Sequence, residues 1–254
     1  MLRHGFLTLA LVLALGGMFR PKSGRTAFVC GPQVSDMEQL GKARKGLYRE
    51  LRERTDLTQI IFMGDLVMDD AGLLAPTAAT LDSLPCPWLC VPGDHDRDFY
   101  KRAASLRPGK ALPARERDFS SFRKRIHGED TTWVTAGIRW IILNNIRTLP
   151  RRQVREEQDA SLYRGNDYIG GLDGRQKAWL ENLLKTVPPK RPVVLCTHIP
   201  LNRCAGADSL GRILTLHPDI RQICCVPSDD DGILSVSDHG GIRILDHKSG
   251  RWME

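Results

Sequence analysis

Short apolar runs alternate with helix-like segments along most of this 254-residue chain, and the alternation restricts the folds open to it. The runs have the length and apolar character of strands, and they occupy residues 25–30, 59–63, 88–91, 131–136, 139–143, 192–196, 220–226 and 241–247. Helix-like sequence covers residues 35–54, 75–83, 116–126 and 174–186. Ser35 and Glu38 have the spacing of a capping box, which predicts that the first helix begins at Ser35. Strands that alternate with helices predict an α/β protein whose sheet is covered by helices.

The composition excludes several other classes of protein. Hydrophobic residues make up 41% and charged residues 26% of the chain, a balance that is unlike that of a disordered protein. The 23 glycines and 15 prolines follow no period, which excludes collagen. One apolar run approaches the length of a membrane span, so a multi-span membrane protein is also excluded. The length fits one large domain, which we assign to residues 25–254.

The N-terminus predicts export. Residues 5–19 form an apolar run that follows Arg3 and His4, and a basic start before an apolar stretch is typical of a secretory signal peptide. We therefore interpret residues 1–24 as a signal peptide or, if uncleaved, as an N-terminal membrane anchor. The protein is then expected to be periplasmic or secreted, or anchored to a membrane.

The seven cysteines weakly disagree with this expectation of export. Their number is odd, and no Cys-x-x-Cys pair occurs, so a thiolate zinc site is not expected. Four of them lie in or beside apolar strand-like runs, where cysteine behaves as a small hydrophobic residue. The pattern therefore predicts no disulfide framework.

Polar side chains that can bind metals follow three of the predicted strands. Asp65 comes after the strand at 59–63, Asp94 after the strand at 88–91, and His198 after the strand at 192–196. If the three strand ends lie side by side, these residues converge in one crevice at the edge of the sheet. Two carboxylates and one imidazole suit Mn, Fe or Zn. The sequence therefore predicts a divalent metal site built from all three loops.

Three motifs carry a resemblance to a known family. They are GDLVMDD at Gly64, GDHD at Gly93 and THIPL at Thr197, and the segment 168–201 around the third is the most family-like part of the chain. With these motifs the sequence resembles the calcineurin-like metallophosphoesterases. The resemblance implies a four-layer αββα sandwich and hydrolysis of phosphoesters by metal-activated water.

The resemblance also implies roles for individual residues. One metal would be held by Asp65, Asp94 and His198, and a second by Gln33, the shared Asp65 and Asp229. His95 would be the general acid that protonates the leaving group, oriented by Asp96.

Two metal-binding blocks of the family, the first and the last, depart from its pattern in this sequence. Gly31 stands where the family has an Asp ligand, and Pro227 stands where it has a His ligand. Losing a carboxylate removes a full charge from a site for a divalent cation, so the first metal site is expected and the second is doubtful.

Three functions follow from these features. The first is a metal-dependent phosphoesterase that acts on a small phosphomonoester or phosphodiester. The second is a weakened or inactive pseudo-phosphoesterase that serves as a binding scaffold, which Gly31 and Pro227 favour. The third is a nuclease, since the net charge of +7 could attract nucleic acid, but the aromatic residues near the basic stretches are too few to favour it.

Overall fold

The computed structural model describes residues 24–98, 119–126, 128–148, 168–217, 220–225, 233–235, 242–246 and 252–253. The strands in these segments are β1 (Arg25–Val29), β2 (Gln59–Phe62), β3 (Trp88–Cys90), β4 (Thr131–Thr135), β5 (Ile138–Ile142), β6 (Ile146–Thr148), β7 (Tyr168–Gly170), β8 (Val193–Thr197), β9 (Ile220–Cys224), β10 (Ile233–Ser235), β11 (Ile242–Asp246) and β12 (Trp252–Met253). The helices are α1 (Met37–Lys45), α2 (Leu47–Glu53), α3 (Leu74–Leu81), α4 (Ser120–Arg125), α5 (Gly174–Thr186) and α6 (Ala207–Leu214).

The strands form two five-stranded sheets and a separate hairpin of β6 and β7. The first sheet has the order β12-β11-β1-β2-β3, with β1, β2 and β3 parallel and β11 antiparallel to β1. The second has the order β10-β9-β8-β5-β4, in which only β4 is antiparallel to its neighbour. The carboxyl ends of β2 and β3 therefore lie at the same edge of the first sheet.

An apolar layer joins the two sheets face to face. Alternate residues of the strands point into it, as the period of two in a β-strand requires, and they include Phe28, Ile61, Trp140, Val194 and Ile223. The rings of Phe28 and Trp140, one from each sheet, lie 6.2 Å apart between their centroids. This layer fixes how the loops of one sheet meet those of the other.

Helices cover the outer faces of both sheets. On the first sheet Leu40 of α1 and Leu51 of α2 are buried in the core that contains Ile60 and Phe62. On the second, Leu180 and Leu184 of α5 are buried with Val193 and Leu195, which alternate along β8 with the residues of the inter-sheet layer. Helix, sheet, sheet and helix form four layers, so the predicted αββα sandwich is confirmed.

The first helical segment differs from its prediction at two places. The helix cap is Asp36, whose carboxylate accepts a hydrogen bond from the backbone N–H of Gln39 at 2.8 Å, and not Ser35, whose hydroxyl bonds to Asp36. A carboxylate is the better acceptor because its charge also interacts favourably with the helix N-terminus. The expected single helix is divided at Gly46, which has φ −105° and ψ −103° between α1 and α2.

A disulfide joins Cys30 to Cys225, so the expectation from the cysteine pattern was wrong. The two residues are 195 positions apart in sequence, and their Cα atoms lie 5.7 Å apart. Cys30 follows β1 and Cys225 follows β9, so the bond links the two sheets across their shared apolar layer. Sequence spacing could not reveal this pair, because only the packing of the sheets brings the two strand ends together.

Removal of this disulfide is expected to destabilise the fold. The change Cys30→Ala should lower the free energy of unfolding by about 2–5 kcal/mol, because the bond restricts the unfolded chain over a long loop. Urea denaturation of the oxidised protein measures this difference, with Cys86→Ala, at a half-buried free cysteine, as the matched control. Equal losses in the two variants would contradict a stabilising role for the bond.

Residues 1–23, which include most of the predicted signal peptide or anchor, lie outside the described residues. Among the helices that the structure does describe, none combines the length and the hydrophobicity needed to cross a bilayer.

Candidate metal centre

Three loops bring the predicted metal-binding side chains together. Asp65 follows β2, Asp94 follows β3, and His198 follows β8 on the opposite sheet. The His198 Nε2 atom lies 3.1 Å from Asp94 Oδ1 and 3.6 Å from Asp65 Oδ2. All three residues are buried, with 3–8% of their surface exposed. Two carboxylates and one imidazole thus share one small volume where the two sheets meet.

Glycines let these loops approach each other. A Cβ atom at Gly64 would lie 2.3 Å from His198 Nδ1, and one at Gly93 would lie 2.1 Å from Asp65 Oδ1. Gly64 has φ +100° and Asp65 has φ 54°, both in the left-handed region that glycine adopts easily and that Asp tolerates better than most residues. The glycines that precede the two aspartates are therefore required by close packing around the carboxylates.

The orientation of His198 suits a metal ligand. Its Nδ1 atom lies 2.8 Å from the backbone carbonyl of Met63, and because a carbonyl can only accept, Nδ1 carries the hydrogen. The other nitrogen, Nε2, therefore points at the two carboxylates. A ligating histidine commonly donates its second N–H to such an outer partner, which fixes the tautomer and the ring.

The cluster carries more negative charge than its own imidazole can balance. Burial opposes protonation of His198, but the Asp65 and Asp94 carboxylates outweigh burial and raise the pKa of His198 to about 10. Burial also raises the pKa of Asp65, and the charge of Asp94 adds to the effect. A buried charge of this kind is costly unless it is paired, so the cluster either takes up protons or binds a cation.

The residues present fit a divalent metal ion. Asp65 and Asp94, together with His95, also form a group whose ligand atoms all lie within 4.8 Å of one another. Carboxylate oxygens with imidazole nitrogens are the donors that Mn, Fe and Zn accept.

His95 is held by Asp69, a residue to which the sequence analysis gave no role. The His95 Nδ1 atom lies 2.6 Å from Asp69 Oδ1, and the backbone N–H of Asp69 donates to the His95 carbonyl at 3.2 Å. The side chain of His95 is 23% exposed, whereas that of His198 is 4% exposed. Burial opposes protonation of His95, but the nearby carboxylates of Asp65, Asp94 and Asp69 prevail and raise its pKa. His95 is thus the solvent-accessible imidazole of the cluster, and Asp69 holds its ring.

The carboxylate of Asp96, to which the family resemblance gave the role of orienting His95, is bound by backbone N–H groups. This fully buried carboxylate accepts hydrogen bonds from the backbone N–H groups of Gly93 at 3.0 Å and Val67 at 3.1 Å. Burial raises the pKa of this carboxyl to about 7, and the charge of Asp65 acts in the same direction. Asp96 therefore connects the loop after β2 to the loop after β3 and holds the two loops together beneath the cluster.

The residues proposed for a second metal are only partly described. The backbone N–H of Gln33 donates to the Asp65 carbonyl at 2.9 Å, so the loop after β1 lies against the cluster. Gly31, in the same loop, is buried and has φ 44°. Asp229 and Pro227 lie outside the described residues. The second metal site therefore stays a prediction.

The chain is similar to solved structures at low sequence identity. One is the phosphopantetheinyl hydrolase PptH from Mycobacterium tuberculosis, with a TM-score of 0.46 and 14% identity over 86% of this chain and 90% of that one. A second is the NAD nucleotidase NadN from Haemophilus influenzae, with a TM-score of 0.42 and 10% identity, which covers 91% of this chain but 48% of that one. A third is the protein of unknown function AQ665 from Aquifex aeolicus, with a TM-score of 0.31 and 14% identity over 73% of this chain and 85% of that one.

A comparison of the whole sequence identifies the family. A search of curated proteins finds no significant match. The family model of the calcineurin-like phosphoesterases matches residues 34–230, which is most of the chain. The matched span contains every loop of the carboxylate and imidazole cluster, from Asp65 to His198. With this match over a fold of the expected architecture, the chain belongs to the calcineurin-like phosphoesterases, a family of metal-dependent hydrolases.

Proposed function

We propose that this protein hydrolyses the ester bond of a small phosphomonoester or phosphodiester, and that Asp65, Asp94 and His198 hold the divalent metal that the reaction needs. The observation that carries the proposal is the position of His198 Nε2 within 3.6 Å of both carboxylates. Three protein ligands leave positions open for substrate and water, as a catalytic metal requires.

The two histidines have different environments, which supports different roles. His198 is nearly inaccessible and directs one nitrogen at the carboxylates, so we assign it to the metal. His95 is partly exposed and its Nδ1 is engaged by Asp69, so we assign its Nε2, which lies 3.7 Å from Asp94 Oδ2, to the proton that the leaving alkoxide receives. A divalent cation bound beside them would stabilise charge on the phosphoryl oxygens and make an attacking water more acidic.

The decisive experiment is a metal titration of the purified full-length protein. We expect that Mn²⁺ binds and supports hydrolysis of p-nitrophenyl phosphate or bis-p-nitrophenyl phosphate, and that His198→Ala abolishes both. The control is His217→Ala, which removes another buried imidazole, one that contacts the carbonyl of Pro188. Loss of both binding and hydrolysis in His198→Ala, with both retained in His217→Ala, would support the proposal.

The same experiment separates the second candidate, a pseudo-phosphoesterase that acts as a binding scaffold. Gly31 favours this candidate, because a glycine offers no side chain where the family has a carboxylate ligand. If the protein binds no Mn²⁺, Zn²⁺ or Fe²⁺ and cleaves neither aryl phosphate at saturating metal, the scaffold function replaces the hydrolase.

We also propose that the protein works outside the cytosol. The apolar run at residues 5–19 and the disulfide between Cys30 and Cys225 support this, since disulfides persist in oxidising compartments. Cell fractionation with sequencing of the mature N-terminus tests the proposal. A cytosolic protein that retains Met1 would contradict it.

A further inference from the structure

The loop that carries His198 is fastened by a side chain from the neighbouring strand. Asn145 comes three residues after the end of β5, which pairs in parallel with β8, and its side chain is fully buried. Its Nδ2 donates to the backbone carbonyl of Ile199 at 2.6 Å, and its Oδ1 accepts from the Ile199 N–H at 3.3 Å. One amide thus satisfies both backbone groups of the residue next to His198.

The opposite end of the loop is fastened in a similar way from β9. Gln222 donates through Nε2 to Thr197 Oγ1 at 2.6 Å and accepts through Oε1 from the Leu201 N–H at 3.3 Å. The Thr197 hydroxyl in turn donates to the Ile199 carbonyl at 2.8 Å. Two buried amides, one on each side of β8, therefore determine the path of residues 197–201.

The position of Asn145 is itself fixed by the backbone. The N–H of Gly171 donates to the Asn145 carbonyl at 2.8 Å, which ties the residue to the end of the β6–β7 hairpin. A Cβ atom at Gly170 would lie 2.9 Å from Ile199 Cγ2, so the hairpin also packs against the loop. The Asn145 amide is therefore held in place and keeps residues 197–201 in one position.

We infer that Asn145 is a positioning residue, which acts by holding the His198 imidazole at the metal site. The inference rests on the proposed function. The physical reason is that a metal ligand must be held to within about 0.5 Å by the groups that support it. The Asn145 amide fixes the peptide that follows His198, and the carbonyl of Met63 fixes the ring itself. Without the Asn145 amide, the peptide that follows His198 can move, and the imidazole is then no longer held with Nε2 facing the two carboxylates.

If Asn145 only stabilised the fold, its substitution would have the same effect as that of another buried asparagine. The neighbouring Asn144 provides this matched control. Asn144 is also fully buried, but its Nδ2 donates to Glu129 Oε1 at 2.8 Å and its Oδ1 accepts from the Ile146 N–H at 3.0 Å. It supports the segment before β4 and the start of β6, not the loop of His198. The variants Asn145→Ser and Asn144→Ser remove the same chemical group at adjacent buried positions.

The experiment measures the dissociation constant for Mn²⁺ by counting the free ion with electron paramagnetic resonance, on full-length protein and without substrate. We expect Asn145→Ser to weaken Mn²⁺ binding by about 10–100-fold, the range for outer partners of metal ligands, while Asn144→Ser leaves binding near that of the wild type. A second readout is the ¹⁵N spectrum of the His198 imidazole in the metal-free protein, in which only the Asn145 variant should shift the Nδ1 resonance that reports the hydrogen bond to the Met63 carbonyl.

The outcomes are distinguishable. Equal Mn²⁺ affinity in Asn145→Ser and in the wild type would overturn the inference. An equal loss of affinity in Asn145→Ser and Asn144→Ser would overturn it too. Both results would leave the proposed function intact. A wild-type protein that binds no Mn²⁺ overturns both. If Asn145→Ser does not fold, Gln222→Met tests the same fastening from the other end of the loop. Gln222→Met should weaken Mn²⁺ binding by about 10-fold. An unchanged Mn²⁺ affinity in this variant would overturn the inference.

Discussion

Asp65→Asn is expected to remove Mn²⁺ binding and, with it, phosphoester hydrolysis. Asp65 lies between the other members of the cluster. Its Oδ1 accepts a hydrogen bond from the backbone N–H of His95 at 3.2 Å, and its Oδ2 faces His198 Nε2 at 3.6 Å. Asparagine has the same shape and can still accept from His95, so the change removes mainly one unit of negative charge. Loss of an outer-shell partner costs about 10–100-fold in metal affinity, and loss of a charged ligand should cost more.

The stability of the metal-free protein should not follow the activity. Burial raises the pKa of Asp65, so its charged form is costly in the absence of a cation. Removing that charge is expected to leave the free energy of unfolding of the metal-free protein unchanged or increased. Urea denaturation with a chelator present measures this, and calorimetric titration with Mn²⁺ measures the affinity.

Asp56→Asn is the control for charge alone. Asp56 pairs with Arg25 at 2.7 Å and with Arg54 at 3.0 Å, away from the cluster. Its substitution should leave Mn²⁺ affinity unchanged. An Asp65→Asn protein that binds Mn²⁺ and hydrolyses aryl phosphates within tenfold of the wild type would exclude Asp65 as a metal ligand.

Sequence reasoning anticipated the parts of the site that depend on local pattern. Asp65, Asp94 and His198 each follow an apolar strand, and parallel strands bring their carboxyl ends to one edge. What the alternation alone did not indicate is that β8 belongs to a different sheet from β2 and β3. The three side chains still meet, because the apolar layer packs the two sheets against each other at the point where the loops leave them.

The parts that escaped prediction depend on backbone conformation or long-range packing. Asp69 reaches His95 from a left-handed position at φ 59°, whereas the family resemblance had implied Asp96 as the partner of His95. The Cys30–Cys225 bond and the contact of Asn145 with Ile199 join residues that are far apart in sequence. An apolar or amide residue at a strand end gives no local sign of such a partner.

His95→Ala is expected to slow hydrolysis by about 10²–10⁴-fold when the leaving group is poor, the usual contribution of a positioned general acid. The effect should be much smaller with p-nitrophenyl phosphate, because p-nitrophenolate leaves without a proton. The measurement compares kcat/KM for phenyl phosphate and p-nitrophenyl phosphate at saturating Mn²⁺. Mn²⁺ affinity, measured in parallel, should change far less than in Asp65→Asn, since His95 is assigned to the proton and not to the metal.

Asp69→Asn isolates the partner of His95 and predicts a shift with pH. The carboxylates around His95 raise its pKa, and Asp69 lies nearer to its ring, at 2.6 Å, than Asp94 does, at 3.7 Å. A general acid acts in its protonated form, so activity is present below the pKa of His95 and is lost as the pH rises through it. Removing the Asp69 charge lowers this pKa, and the alkaline loss of kcat for phenyl phosphate should therefore begin at a lower pH than in the wild type. An unchanged profile, or the same profile in His95→Ala, would show that the proton comes from another group.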